Sequence, residues 1–260
     1  MKIVIKIGGA ALEDNFTLRQ CAYGVVELTK GGHSVAVVHG GGSALTRTLT
    51  RIGKPSTFVA GLRVTDAETR DVALMVLAGF VNKRLVAAVA AANGCAVGLC
   101  GGDGGSFRAR KKHTTAGDLG FVGEISSVDP RWVQMLMNAG AIPVISSIAL
   151  GDDGEYYNVN ADEMASACAV AVKADALIFL TDVPGVKNSD GSIISSLSTT
   201  AIPQLIESTV VAGGMLPKLE ACRGALAKGV SRVRILPTSE AHLLPGFYSS
   251  PLHSGTEVVA

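Results

Sequence analysis

Aromatic side chains are scarce, 5% of the chain, too few for a base-stacking nucleic-acid platform. An excess of charge of one sign is lacking as well: 23 Lys and Arg stand against 22 Asp and Glu, a formal net charge of +1. That balance gives nucleic acid and anionic membranes no electrostatic hold. No apolar run reaches the roughly 18 residues of a membrane span. The N-terminus meets Gly8-Gly9 after one short β-like stretch, unlike a signal peptide. C-x-x-C spacing is missing, and the five cysteines (Cys21, Cys95, Cys100, Cys168, Cys222) are odd in number and mostly set among Ala and Val. They read as buried, reduced thiols of a cytoplasmic protein, and no metal site is expected. Neither G-x-x-x-x-G-K-[ST] nor G-x-G-x-x-G occurs, which disfavours ordinary P-loop and Rossmann dinucleotide sites.

Glycine is abundant, 31 of the 260 residues, against a usual share of roughly 7%. With 48% hydrophobic and 17% charged residues, the chain can bury a substantial core. β-Branched runs at 2–6, 34–38, 96–99, 142–145, 176–180 and 232–236 alternate with helical patterns. This predicts an α/β fold, a three-layer αβα sandwich around an open, mainly parallel sheet. Thr65-x-x-Glu68 predicts a capping box opening a long helix to about Ala92, and Asn160-x-x-Glu163 opens another through Ala174. The stretch 108–125, with Arg110-Lys-Lys112 and three glycines, reads as a hairpin excursion whose basic run is a solvated face. A boundary near Lys173–Asp175 divides lobes 1–174 and 175–260, which share one sheet.

The glycines gather where apolar strands end. In Lys6-Ile-Gly8-Gly9 and His39-Gly-Gly-Gly42 a strand empties into glycines and a helix starts at once. Unpaired amides and a positive helix end there favour an anion such as phosphate. Lys6 ends an apolar strand, where a charge needs a partner unless it snorkels to solvent. In Asn158-Val-Asn160-Ala-Asp162, capping accounts for Asn160 and passably for Asp162, but not for Asn158. Gly213-Gly-Met-Leu-Pro-Lys218 puts a lysine just inside a helix start, which suggests an anionic partner. His39 reads as a packed strand-end residue.

Together with Gly61-Leu-Arg-Val-Thr-Asp66 and Leu180-Thr-Asp-Val-Pro-Gly185, these motifs resemble the amino-acid kinase family and run in family order along the whole chain. Within the family, the 61–66 and 158–162 stretches are similar to members that phosphorylate N-acetyl-L-glutamate. The resemblance implies transfer of the ATP γ-phosphate to that side-chain carboxylate, a step of arginine biosynthesis, with Mg²⁺ carried by ATP. It implies that Lys6 and Lys218 neutralise the moving phosphoryl group, that Asp162 holds both, and that the Gly9 and Gly41 amides donate to it. Gly41, Gly42, Arg63, Asn158 and Asn160 would bind the acetylated amino acid, Arg63 as a fork on the α-carboxylate. Asp182, Val183, Pro184, Gly185, Val186 and Lys187, with Val210, Val211 and Ala212, would border the nucleotide.

Two other readings compete. A sister kinase would act on a carrier-protein-linked aminoadipate or glutamate, and a non-catalytic nucleotide-binding protein would use the fold without the lysine–aspartate–lysine set. The long helix from about Asp66 to Ala92, rich in Ala, Val and Leu, suits either a partner surface or burial within one subunit, and a homodimer is expected. Because the first strand begins near Lys2, no preceding helix of the kind found in arginine-inhibited hexamers is expected, and little inhibition by L-arginine with it.

Overall fold

The computed structural model describes residues 1–115, 117–207, 213–246 and 254–260. Its first half runs β1 (Lys2–Ile7), α1 (Asn15–Lys30), β2 (Ser34–His39), α2 (Gly42–Arg51), β3 (Phe58–Val59), β4 (Leu62–Arg63), α3 (Ala67–Ala73), α4 (Asn82–Ala91), β5 (Ala96–Leu99), β6 (Phe107–Lys111) and β7 (Val122–Val128). The second runs α5 (Arg131–Asn138), β8 (Ile142–Ser146), β9 (Ile148–Gly151), β10 (Tyr156–Val159), α6 (Ala161–Val172), β11 (Ala176–Thr181), β12 (Ser196–Ser198), α7 (Ile202–Glu207), α8 (Met215–Ala227), β13 (Arg232–Pro237) and β14 (Thr256–Val259).

Eight strands form one sheet in the order β12-β14-β13-β11-β1-β2-β8-β5. Neighbours are parallel except for the antiparallel pair β13–β14. The six runs read as strands all lie in it. Side chains alternate across a strand, and β1 shows why its position is central. Ile3, Ile5 and Ile7 enter a core with α1, α2 and α4, while Val4 enters the opposite core with α5, α6 and α8. Lys6 shares the parity of Val4 and so faces the α6–α8 layer. The expected three-layer αβα sandwich is the observed architecture.

The 108–125 excursion is indeed an antiparallel pair, β6–β7, but it closes with β9 and β10 into a four-stranded barrel. Its strands are short and partly polar, so they carry little apolar periodicity.

Two helix starts differ from expectation. Asp66, not Thr65, caps α3: its carboxylate accepts from the Thr69 N–H at 2.8 Å. Thr65 is withdrawn from the cap because its hydroxyl donates to the Arg63 carbonyl at 2.9 Å. At α6, Asn160 caps as expected, accepting from the Asp162 and Glu163 amides at 2.8 and 3.2 Å. Glu163 does not complete a capping box; it accepts from the Ile125 N–H at 2.8 Å and ties α6 to the barrel. Lys173, in a left-handed conformation (φ 54°), then ends the helix.

The long helix continues from α3 through a π-helical stretch, Leu74–Val81, into α4. Taken whole, Ala67–Ala91 is long and apolar enough to cross a membrane by length and composition, and 44% of its most apolar stretch is buried. Val72, Val76, Leu77, Val81, Leu85 and Val89 form its inner face, the pattern of a core helix lying on a sheet. All five cysteines are free, four of them buried, and burial pushes the Cys21 and Cys168 thiols up to about 12.

Candidate active site

The C-terminal ends of β1, β2 and β11 lie side by side, and their loops meet. The Gly8 N–H donates to the Leu180 carbonyl at 3.0 Å and the Gly40 N–H to the Ile7 carbonyl at 3.3 Å. Ligands of open α/β sheets bind at such carboxyl edges. The two glycine loops approach closely enough that a Cβ on Gly9 would sit 3.3 Å from the nitrogens of Gly41 and Gly42. Gly41 has φ +154°, and a Cβ there would lie 2.7 Å from Leu77 Cδ2. Gly41 therefore needs glycine for its backbone conformation, while Gly9, with an ordinary helical backbone, permits a close approach of the two loops that a Cβ would crowd. Among the described residues, no acceptor takes the N–H of Gly9 or Gly41.

Over these loops sits a buried trio of charges. Lys6 Nζ is 2.9 Å from Asp162 Oδ1, and Lys218 Nζ is 3.1 and 3.0 Å from Asp162 Oδ1 and Oδ2. Lys6, Asp162 and Lys218 are 8%, 6% and 5% exposed, so these charges are compensated by one another rather than by water. Three different elements deliver them: β1 by strand parity, α6 through its first turn, and α8 through its first turn. The dipole of α6 favours Asp162, whereas that of α8 disfavours Lys218, which has the Asp162 carboxylate and the face of Phe179, 5.2 Å away, in compensation. Burial would raise the Asp162 carboxyl, but Lys6 and Lys218 outweigh it and hold the group below the usual carboxylate range. Burial, helped by the nearby Lys6 charge, pulls the Lys218 ammonium below the usual lysine value.

Arg63 is the third cation. The β3–β4 pairing sets it opposite Phe58, whose ring lies 4.6 Å under the guanidinium. Its Nη2 donates to the Gly42 carbonyl at 3.1 Å and to Thr46 Oγ1 at 2.6 Å, and its Nη1 donates to Ser56 Oγ. Among the described residues no carboxylate pairs with it, although it is 8% exposed. Burial lowers its proton affinity, yet arginine keeps its charge in proteins. A buried cation with only neutral partners is suited to an incoming anion.

A cavity of about 260 Å³ unites Lys6, Gly9, Gly41, Gly42, Arg63, Asn158, Asn160 and Asp162 on its wall. Asn158 donates to Thr65 Oγ1 at 3.3 Å. Asn160 spends its side-chain oxygen on the helix cap described above. Lys218 does not line this cavity; it stands behind Asp162, to which it is ion-paired. Asp182–Lys187 lie apart, on the loop that follows β11, where the Val186 N–H donates to Thr256 Oγ1 at 2.8 Å. Val210, Val211 and Ala212 lie outside the described residues. A wider cavity, about 740 Å³, opens alongside between β7, α6 and α8, and shares Gly61, Leu62 and Asn160 with the first.

Sequence reading missed Ser147, which lines the smaller cavity just after β8, and the Thr46 and Ser56 hydroxyls that hold Arg63. Ser147 carried a faint signal, a polar residue where an apolar parallel strand ends. Thr46 and Ser56 carried none. His39 is fully buried, as a packed strand-end residue should be. Of the basic run read as a solvated face, Arg110 pairs with Glu124 in solvent at 2.6 Å, but Lys112 is half-buried, lies 3.5 Å from Glu163 and lines the wider cavity.

In chemical terms the site offers three cations, one carboxylate already shared by two of them, free backbone amides and the N-terminus of α2. It can hold two anions close together and screen their repulsion.

A model described as the amino acid kinase family matches residues 1–237. The chain is 62% identical over 260 residues to an acetylglutamate kinase of Acidobacterium capsulatum, covering 100% of each. It is 56% identical to an acetylglutamate kinase of Koribacter versatilis, covering 100% of this chain and 99% of that one. Among solved structures, smu.665 from Streptococcus mutans UA159 is 27% identical with a TM-score of 0.83, covering 100% of this chain and 98% of that one.

Proposed function

The chain belongs to the amino acid kinase family, and from that premise we infer that it transfers the γ-phosphate of ATP to the side-chain carboxylate of N-acetyl-L-glutamate. The product is N-acetylglutamyl phosphate, and the reaction is a step of arginine biosynthesis. Full-length identity to acetylglutamate kinases at 62% and 56% supports the substrate. The single observation that carries the chemistry is the pair of buried lysines closed on one carboxylate.

A carboxylate, with a reference pKa near about 4, is ionised at neutral pH and needs no general base. The remaining task is to align two anions and offset the charge on the moving phosphoryl group. Lys6 and Lys218 do this, and Asp162, bonded to both ammoniums, offsets their mutual repulsion and holds them in place. The Gly9 and Gly41 amides donate to the same phosphoryl oxygens. Arg63 grips the α-carboxylate of the acetylated amino acid, which rests against Gly41, Gly42, Asn158 and Asn160.

Asp182–Lys187, together with 210–212, border the nucleotide. Both oxygens of Asp162 are engaged by ammonium groups, so Mg²⁺ enters on the phosphates of ATP and neutralises charge there. Residues 1–174 form the amino-acid lobe and 175–260 the nucleotide lobe. The wide cavity between α6 of the first and α8 of the second supports that division. The exposed Met75 and Phe80 on the long helix support a homodimer through that surface, and the free, mostly buried cysteines fit a cytoplasmic location.

Incubation with MgATP, N-acetyl-L-glutamate and hydroxylamine should trap the acyl phosphate as a hydroxamate. Folded protein yielding no hydroxamate above the enzyme-free control would remove the assignment.

A further inference from the structure

Three consecutive glycines, Gly40-Gly41-Gly42, cannot fix their own peptide planes, because glycine loses more conformational freedom on ordering than any other residue. If the Gly41 N–H is to be a preset donor, something outside the loop must hold the peptide that carries it. That peptide unit joins Gly40 to Gly41, is trans like every other peptide described here, and is planar, so its C=O and N–H point in opposite directions. Whatever grips the Gly40 carbonyl therefore aims the Gly41 N–H.

The grip comes from His39. Its Nδ1 lies 2.7 Å from the Gly40 oxygen, and its Nε2 lies 3.0 Å from Asn82 Nδ2. The orientation of the Asn82 amide is fixed by its other contacts: Nδ2 donates to the Val144 carbonyl at 2.8 Å, and Oδ1 accepts from Lys83 Nζ at 3.2 Å. An amide NH₂ can only donate, so His39 Nε2 accepts, and the ring proton resides on Nδ1, where it donates to the Gly40 oxygen. On the far side of the peptide, Gly41 N faces the Gly9 loop, 3.3 Å from where a Gly9 Cβ would be, on the wall of the smaller cavity. His39 itself is 0% exposed and does not line the cavity; it meets the cavity wall through the Gly40 carbonyl that it holds. Burial lowers its pKa to about 4, with the Gly40 carbonyl opposing and the Lys83 charge assisting, so the ring stays neutral through the physiological range.

We propose that His39 is a positioning residue for phosphoryl transfer: as the Nδ1–H tautomer held by Asn82, it locks the Gly40–Gly41 peptide with the Gly41 N–H facing the transferring group. This rests on the reading above that the Gly41 amide donates to that group. Asn82 is the partner that selects the tautomer, and it stands where the π-helical stretch passes into α4.

Asparagine can place an amide N–H where the Nδ1–H of histidine stands, whereas leucine fills the space without a donor. His39→Leu should therefore lower kcat by about 10-fold or more, below the full loss of an oxyanion donor. The KM for N-acetyl-L-glutamate should stay within about threefold, since the ground-state anchor is Arg63. His39→Asn should restore kcat to within about threefold of wild type. Equal losses in the two variants, or a change in KM with kcat intact, would overturn the proposal and leave His39 as packing. A long-range ¹H–¹⁵N spectrum of imidazole-labelled wild-type protein, taken without substrates, should show the proton of His39 on Nδ1. A proton on Nε2 overturns the proposal even if His39→Leu does not fold. A wild-type protein that forms no hydroxamate overturns the activity reading and the positioning role with it. The tautomer spectrum tells that failure apart from a wrong arrangement at His39.

Discussion

At the scale of single residues, the proposed reading gives the charges separable work, and they should fail separately. Lys6→Ala and Lys218→Ala should each lower kcat by more than about 100-fold, the scale of losing one preorganised electrostatic donor. Steady-state rates with saturating ATP and N-acetyl-L-glutamate measure this, and a loss below tenfold at either lysine contradicts its role. Arg63→Ala should instead raise the KM for N-acetyl-L-glutamate, because an α-carboxylate contact is present in ground and transition states alike. If kcat collapsed with KM unchanged, Arg63 would not be the anchor. Lys218 also sets a pH limit. Its folded-state proton affinity is depressed by burial and by Lys6, so its cation is lost sooner as pH rises. The alkaline limb of kcat/KM should accordingly fall below the ordinary lysine value of 10.5. Lys6 and Lys218 stood out in the sequence because a charge in an apolar strand, or a cation at a helix start, is conspicuous against its neighbours. Asp162, an acid in a helix first turn, was singled out only by the family resemblance. Thr46, Ser56 and Ser147 were not legible. Hydroxyl residues are commonplace, and only the folded chain carries these three to the guanidinium and the cavity.

Secondary-structure elements bring a second kind of consequence. The α3 cap at Asp66 is held by Lys54 Nζ at 2.8 Å and by the Thr69 N–H, which together keep its carboxyl at about 2. The stability it contributes is present above the ordinary value of 3.8 and is lost as pH falls from there toward about 2. Asp66→Ala should cost about 1 kcal/mol of stability at neutral pH, and less in acid. Urea melts at pH 7 and pH 2.5 would measure the difference, and an equal cost at both would contradict the titration. The π-helical stretch 74–81 is the other element of note. Leu77 and Val81 back the Gly41 loop, and Asn82 follows directly, in keeping with the frequency of such stretches at functional sites. Nothing in the apolar run Leu74–Val81 distinguishes it from an α-helix, so it was read as one. The six parallel strands were legible because burial on both faces leaves continuous β-branched runs. Gly123 in the barrel and Gly101 beside it sit too close to neighbouring atoms, Tyr157 Cβ and the backbone of Ile148 and Ala149, to carry a Cβ without a shift. Such closure depends on contacts between segments, which local patterns do not encode.

For the whole molecule, the proposed homodimer predicts a mass of about twice 26.6 kDa by light scattering coupled to size exclusion. Phe80→Asp should shift it toward the single-chain mass, and a wild-type monomer would remove the proposal. The sheet order has a further consequence, and it concerns synthesis. β1, which carries Lys6, lies between β2 and β11, and its Ile3 is paired with Ala176. One neighbour of the strand emerges from the ribosome almost immediately, and the other only after about 170 more residues, a non-local pairing of the kind that slows folding. At 5–20 residues per second the nascent chain carries the future centre of its sheet as an open edge for roughly 9 to 35 s. Expressed alone, the segment 1–174 would keep that edge for good and should aggregate where the full chain remains soluble. The strand that holds Lys6 is thus also the one most in need of protection during translation, and a chaperone that shields exposed strands would have its longest task at β1.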